Sequence, residues 1–201
     1  MFRKNPYLCN DMKISQLIIS FSLIINQALN AYDSIYEKTG VGEIEVKSIP
    51  DRIALEASSE GNYFRANNGL FRSLFRFISD NEVEMTVPVE AEVSPGRMRF
   101  FVGEGDKGKL LDSRDEIEVR RMPRLRVVAI GIRGSYTEER FRKHENELLK
   151  WLKRNKKYEQ VAPAYAVYWH GPFVPGFFKR SEVHLPITKK KKSPKKNNPQ
   201  E

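Results

Sequence analysis

The sequence predicts an α+β domain: two pseudo-symmetric β-α-β-β repeats closing into a distorted antiparallel β-barrel or curved sheet that carries two helices. Three observations predict it. A heptapeptide recurs, IEVKSIP at Ile44–Pro50 and IEVRRMP at Ile117–Pro123, at an offset of 73 residues. Each copy runs into a further strand-like segment and then into a stretch with helical apolar spacing. Runs of strands around two helices, without strict strand–helix alternation, point to an antiparallel sheet with helices on one face.

Residues 1–31 read as a targeting segment. Lys13 precedes an apolar stretch, Ile14–Ile25, and small and polar residues follow to Ala31. This is the layout of a secretory signal peptide, and Met12 is a better start for it than Met1. The apolar stretch is shorter than the roughly 20 residues that span a bilayer. The expectation is export, to the periplasm or outside the cell. The alternatives are an uncleaved membrane anchor and a packed amphipathic helix with Ile14, Leu17, Ile18, Phe21 and Ile25 on its face. The single cysteine, Cys9, lies before the stretch and allows no intramolecular disulfide.

The body of the domain spans 42–187. In its first copy, Arg52–Ser58 reads as a strand. A helix is expected from Asn67 to Ser79, with Leu70, Leu74, Phe77 and Ile78 on one face and Phe71 and Phe75 widening it. Asn81 supplies a stop. Glu84–Val93 alternates polar and apolar residues and reads as a strand, followed by Met98–Val102. Gly103–Arg114, rich in glycine and charge, links the copies. In the second copy Leu125–Arg133 is the strand before the helix. That helix runs from Thr137 to Asn155, with Ser135 and Glu138 at capping-box spacing and Phe141, Leu148, Leu149, Trp151 and Leu152 buried. Strands at Ala164–Trp169 and Glu182–Ile187 complete it. The halves are expected to leave a cleft between them.

Net charge is +9, but six of these charges are lysines of the Lys189–Lys196 tail, leaving +3 for the rest. The basic balance therefore belongs to the tail and predicts no specific nucleic-acid face. Residues 188–201 are expected to be disordered. Without interleaved aromatics the tail reads as a solubilising extension, with contact to an anionic surface second.

Three segments resemble the SOUL/heme-binding-protein family. Gly69–Ser79 (GLFRSLFRFIS) is similar to its F-R-x-L-x-x-Y-I helix, and Met85–Val89 (MTVPV) to its M-T-x-P-V strand. Gly171–Ile187 (GPFVPGFFKRSEVHLPI) is similar to its P-F-x-P-x-x-x-R-R-N-E-V-W-I-P segment. The resemblance covers about Gly42 to Ile187. It implies a distorted barrel shared with GyrI-like small-molecule sensors, and heme or a related tetrapyrrole as ligand. Here Lys179-Arg180-Ser181-Glu182 replaces Arg-Arg-Asn-Glu, and His184 stands where tryptophan is common.

A tetrapyrrole needs an apolar slot, cations for its propionates and, in some proteins, an axial ligand. Phe64, Phe71, Phe75, Met85, Phe173, Phe177 and Phe178 are candidates for the slot, each equally readable as core. Arg72, Arg76, Lys179 and Arg180 are candidates for the carboxylates, since a guanidinium fork matches a carboxylate. His170 is the best-placed candidate iron ligand. His144 reads as surface and His184 as a packed residue. Glu182 and Tyr168 are the candidates for acid–base work in a cleft; for Glu182 an ion pair with Lys179 or Arg180, or a hydrogen bond to backbone, is the competing reading. No GxSxG elbow, P-loop or HExxH motif occurs. The leading expectation is a non-enzymatic binder of heme or a related tetrapyrrole, acting in buffering, transport or delivery. The alternatives are a GyrI-like small-molecule hydrolase or sensor and an interaction protein with a vestigial cleft.

Overall fold

The computed structural model describes residues 32–109, 112–113, 116–171 and 173–190. The chain divides into two units, Met1–Asp33 and Ser34–Glu201, and the second carries all of the elements below. Residues 1–31, expected to be a targeting segment, and most of the lysine tail lie outside the described residues. Among the described residues no helix is long and apolar enough to cross a membrane.

Among the described residues nine strands and two α-helices follow one another: β1 (Ile44–Ile49), β2 (Arg52–Ser59), α1 (Tyr63–Asp80), β3 (Val89–Glu92), β4 (Gly96–Phe101), β5 (Ile117–Met122), β6 (Leu125–Arg133), α2 (Glu138–Arg154), β7 (Tyr158–Gln160), β8 (Tyr165–Tyr168) and β9 (Arg180–Lys189). They form one antiparallel sheet, curled into a half-barrel, in the order β1-β6-β9-β8-β3-β4-β2-β5, with β7 added on β9. The fold is α+β.

The order reads the same from either end once β1–β4 are matched with β5, β6, β8 and β9. The register obeys the same rule. Ile44 pairs with Ile130 as Ile117 pairs with Ala57. Ala57 pairs with Met98 as Ile130 pairs with Val183. Met98 pairs with Ala91 as Val183 pairs with Ala166, and Ala91 faces Ala166 at the midline. Each heptapeptide strand therefore hydrogen-bonds to the opposite half.

Both helices cover one face of this sheet. On α1, Leu70, Leu74, Phe77 and Ile78 are buried, as their spacing predicts, against Leu55, Met98 and Phe100. The helix starts earlier than periodicity suggests. Asn62 caps it by accepting from the Phe64 amide at 2.8 Å, and its own amide donates to Glu138 Oε1 at 3.0 Å. Asn62→Ala should lower unfolding free energy by about 1 kcal/mol, measurable as a shift in urea midpoint at constant m. At the other end Asn81 donates to Phe77 O. On α2 the cap is Thr137, which accepts from Arg140 N, and not Ser135: only Thr137 has the extended backbone directly before the first helical residue.

Two expected strand limits shift. The segment expected from Glu84 enters the sheet only at Val89, because Pro88 has no N–H to offer the ladder. β9 runs through Lys189, and Lys190 N donates to Lys157 O, so order persists past the expected limit at Ile187.

Candidate functional site

Among the described residues, the midline between the halves, where an open cleft is expected, is core on the helix side. A depression among Tyr136, Thr137, Arg140, Phe141 and Tyr168 holds about 10 Å³, room for one water. Tyr168 itself is buried, stacked on Tyr63 with centroids 5.9 Å apart and against Tyr136 at 4.3 Å. Burial raises its phenol pKa well above the usual value, so it supplies no phenolate.

The face opposite α1 and α2 carries a buried charged row. Directly paired positions place Glu56, Arg99, Glu90, Val167, Glu182 and Gly131 side by side across the sheet. Arg97, Arg99 and Arg120 surround Glu56. Arg52 grips both oxygens of Glu90 at 2.9 and 3.0 Å. Glu182, 1% exposed, accepts from five donors: Thr39 N at 2.8 Å, Thr39 Oγ1 at 2.8 Å, Lys47 Nζ at 2.7 Å, Trp169 Nε1 at 2.7 Å and His184 Nε2 at 2.7 Å. Burial pushes its pKa up, but the His184 hydrogen bond and the Lys47 charge outweigh it and hold the carboxyl at about 2. A carboxylate so fixed is an acceptor only, with no proton to give near neutrality. This corrects the expected partners, Lys179 and Arg180; the cation is Lys47. His184 is fully buried and its pKa is lowered, first by burial. It is neutral, with Nε2–H donating to Glu182 and Tyr165 O–H donating to Nδ1 at 3.1 Å. Sequence reasoning missed Lys47, Thr39 and Tyr36. Thr39 and Tyr36 precede the expected start of the domain at Gly42.

The residues proposed from sequence for a tetrapyrrole fall into two groups. Arg72, Phe75 and Arg76 are exposed on α1, where Phe75 stacks on Phe71 at 5.9 Å. Met85 is half-buried and packs on the helix-side core, as does Phe64. His170, Phe173, Phe177, Phe178, Lys179 and Arg180 gather on the β8–β9 connection. Among the described residues no hydrogen bond or ring contact joins the two groups.

The second group is the more unusual surface. Phe173 is 97% exposed, Phe177 67% and Phe178 44%. Apolar rings are rarely left in water this way on one loop. A 3₁₀ turn, Gly176–Phe178, presents Phe177 and Phe178 with centroids 4.3 Å apart. Cations surround the base of the loop. Burial lowers the His170 pKa, and the charges of Lys38, Arg180 and Lys179 lower it further. Three cations thus converge on one neutral imidazole. Lys179 Nζ lies 5.0 Å over the Tyr136 ring, Lys38 Nζ 5.3 Å over Trp169, and Arg180 donates to Thr39 O at 3.2 Å.

The connection thus carries exposed aromatic rings and, around His170 at its base, basic side chains. His170 does not fit as an axial ligand. Nδ1 accepts from Arg180 N at 3.0 Å, so the neutral ring carries its proton on Nε2 and has no lone pair free for iron.

The sequence profile described as SOUL heme-binding protein matches residues 30–186. The chain belongs to the SOUL heme-binding protein family. Solved structures share its fold at low identity. The EcmrR C-terminal domain superposes with a TM-score of 0.57 at 15% identity, covering 73% of this chain and 98% of that one. EcmrR in a transcription complex with DNA gives 0.59 at 12%, covering 89% and 70%. A hydrolase from Listeria innocua gives 0.50 at 12%, covering 75% and 94%. A comparison with curated proteins gave no match. The match starts at residue 30, before the expected boundary at Gly42, and so takes in Tyr36 and Thr39.

Proposed function

We propose that this SOUL-family chain binds heme or a related tetrapyrrole without chemical turnover, on the surface formed by the β8–β9 connection. The observation that carries this is the exposed Phe173, Phe177 and Phe178 set beside Lys38, Lys179 and Arg180. The phenyl rings cover one face of the macrocycle, and the cations pair with its propionates through charge-assisted hydrogen bonds. His170 acts here by accepting from Arg180 N and so fixing the turn that carries the cations. The absence of turnover is supported by the chemistry of Glu182 and Tyr168, neither of which can trade a proton near neutrality. The layout of Ile14–Ile25 supports an exported setting, where the protein would buffer or hand over its ligand, with the Lys189–Lys196 tail available to an anionic surface.

A hemin titration should give a saturable, one-site shift of the Soret band. Iron-free protoporphyrin IX should bind with similar affinity, because no protein ligand reaches the iron. Phe177→Ser combined with Lys179→Glu should weaken both by about a hundredfold, the loss of one aromatic contact and one charge-assisted bond. A linear, detergent-sensitive response to hemin, or an unchanged affinity in the double variant, would remove this proposal.

A further inference from the structure

A segment of the chain itself lies across the face opposite α1 and α2. Ile35 N donates to Val87 O at 2.9 Å, Ser34 and Val87 are bridge partners, and Gly42 N donates to Gly131 O at 2.8 Å. Between these ties the strap Ser34–Gly40 inserts Tyr36 and Thr39 into the charged row. The Tyr36 ring meets Trp169 edge-on at 5.6 Å, lies 5.9 Å from His184 and has Lys47 Nζ 5.6 Å from its centroid. Its hydroxyl donates to Glu90 Oε1 at 3.0 Å. Apolar Ile49, Val127, Ala129, Tyr165 and Val167 complete the surroundings.

The strap fits because small residues stand where it crosses the sheet. Ala129 and Gly131 occupy the register positions that Glu56 and Ser58 hold in the other half. A Cβ on Gly131 would stand 2.1 Å from Gly40 O and 2.6 Å from Thr39 O. The bare glycine is therefore what lets the strap lie flat. The closed arrangement is also incomplete: Arg52 Nε is buried and, among the described residues, has no acceptor.

We infer that the face beneath the strap is a second binding site, for a small phenol, which the Tyr36 side chain occupies in the closed chain. The site offers what Tyr36 uses: an aromatic edge from Trp169, a flanking imidazole, a cation over the ring and the Glu90 carboxylate as acceptor for one hydroxyl. Ligand and strap exclude each other, so apparent affinity equals the intrinsic affinity scaled by the fraction of chains with the strap out. The phenol site does not require the tetrapyrrole reading, although the strap also carries Lys38 and the Thr39 carbonyl that accepts from Arg180.

The test uses p-cresol, the tyrosine side chain without its backbone, and the full chain. Calorimetry gives affinity. Emission of Trp169, in a Trp151→Phe background, reports where the probe binds. Gly131→Ala adds one methyl where the strap crosses and removes no group that meets the ring. It should tighten p-cresol binding by about tenfold or more, the gain expected if the strap is in place in 90% of chains or more. Ser34→Cys with Val87→Cys, oxidised, should abolish binding, and reduction should restore it. Equal affinity in the parent, the glycine variant and the oxidised pair would overturn the inference, as would p-cresol binding that leaves Trp169 emission unchanged. If Gly131→Ala fails to fold, the oxidised and reduced pair decides alone. Hemin titration reads the tetrapyrrole surface with a separate probe, so its failure in the parent chain leaves the p-cresol comparison standing.

Discussion

Replacing Glu182 by alanine should cost about 4 kcal/mol of stability, a large part of what a domain of this size possesses. The magnitude follows from what the side chain leaves behind. Lys47, held with little access to water, would lose its nearer counter-ion and keep only the exposed Glu45 at 3.7 Å, and Thr39 N–H, Trp169 Nε1–H and His184 Nε2–H would lose their acceptor together. Each stranded donor carries its own desolvation penalty. Glu182→Gln keeps the volume and one acceptor oxygen and should cost less. The acid dependence has a definite sign. The carboxyl titrates at about 2 in the folded chain and near 4.5 when unfolded, so its contribution is complete above about pH 4.5 and fades as pH falls toward 2. The difference between the parent and Glu182→Gln, followed by urea unfolding, should shrink over that window. A difference that stays constant from about pH 6 to pH 3 would show that the ion pair does not contribute as described.

Arg52→Met should be comparably damaging, at about 3–5 kcal/mol, because it strands the Glu90 carboxylate in the interior with only the Tyr36 hydroxyl as donor. Removing both charges should not double the loss. Arg52→Met with Glu90→Met takes away the pair and the orphaned Arg52 Nε together, and should recover most of the stability. The cycle of single and double variants should thus show a coupling of about 2 kcal/mol or more, favouring the double change. Additive losses would mean that the two side chains do not compensate each other.

The helices were readable in advance because a helix writes its buried face into the sequence. Leu70, Leu74, Phe77 and Ile78 recur at helical spacing, and all four are buried. The sheet's apolar face was legible by the same logic at a period of two. The polar interior was not. Lys47 and Glu182 meet across 135 positions of chain, and no local pattern joins them. Glu182 therefore looked like the neighbour of Lys179 and Arg180, which point elsewhere. Tyr36 and Thr39 escaped notice for a different reason: the strap has no periodicity of its own, since it is held by backbone contacts and by groups already fixed in the sheet. For the candidate surface, sequence reasoning named His170, Phe173, Lys179 and Arg180 as separate candidates, and they lie on one connection. It could not separate them from Arg72, Phe75 and Arg76, because amphipathic spacing says which face a residue takes and nothing about which distant loop shares it.

The exchange of the first strand of each half has a consequence for how the chain is born. β1 emerges early during synthesis but its hydrogen-bonding partner is β6, which begins only at Leu125. β5 reaches back the opposite way, to β2. Neither half can satisfy its own backbone, so the amino-terminal portion must wait on the ribosome with an unpaired edge until the rest arrives. Closure is then one long-range event that locks both portions at once, which makes the finished molecule cooperative and its nascent form exposed to strangers.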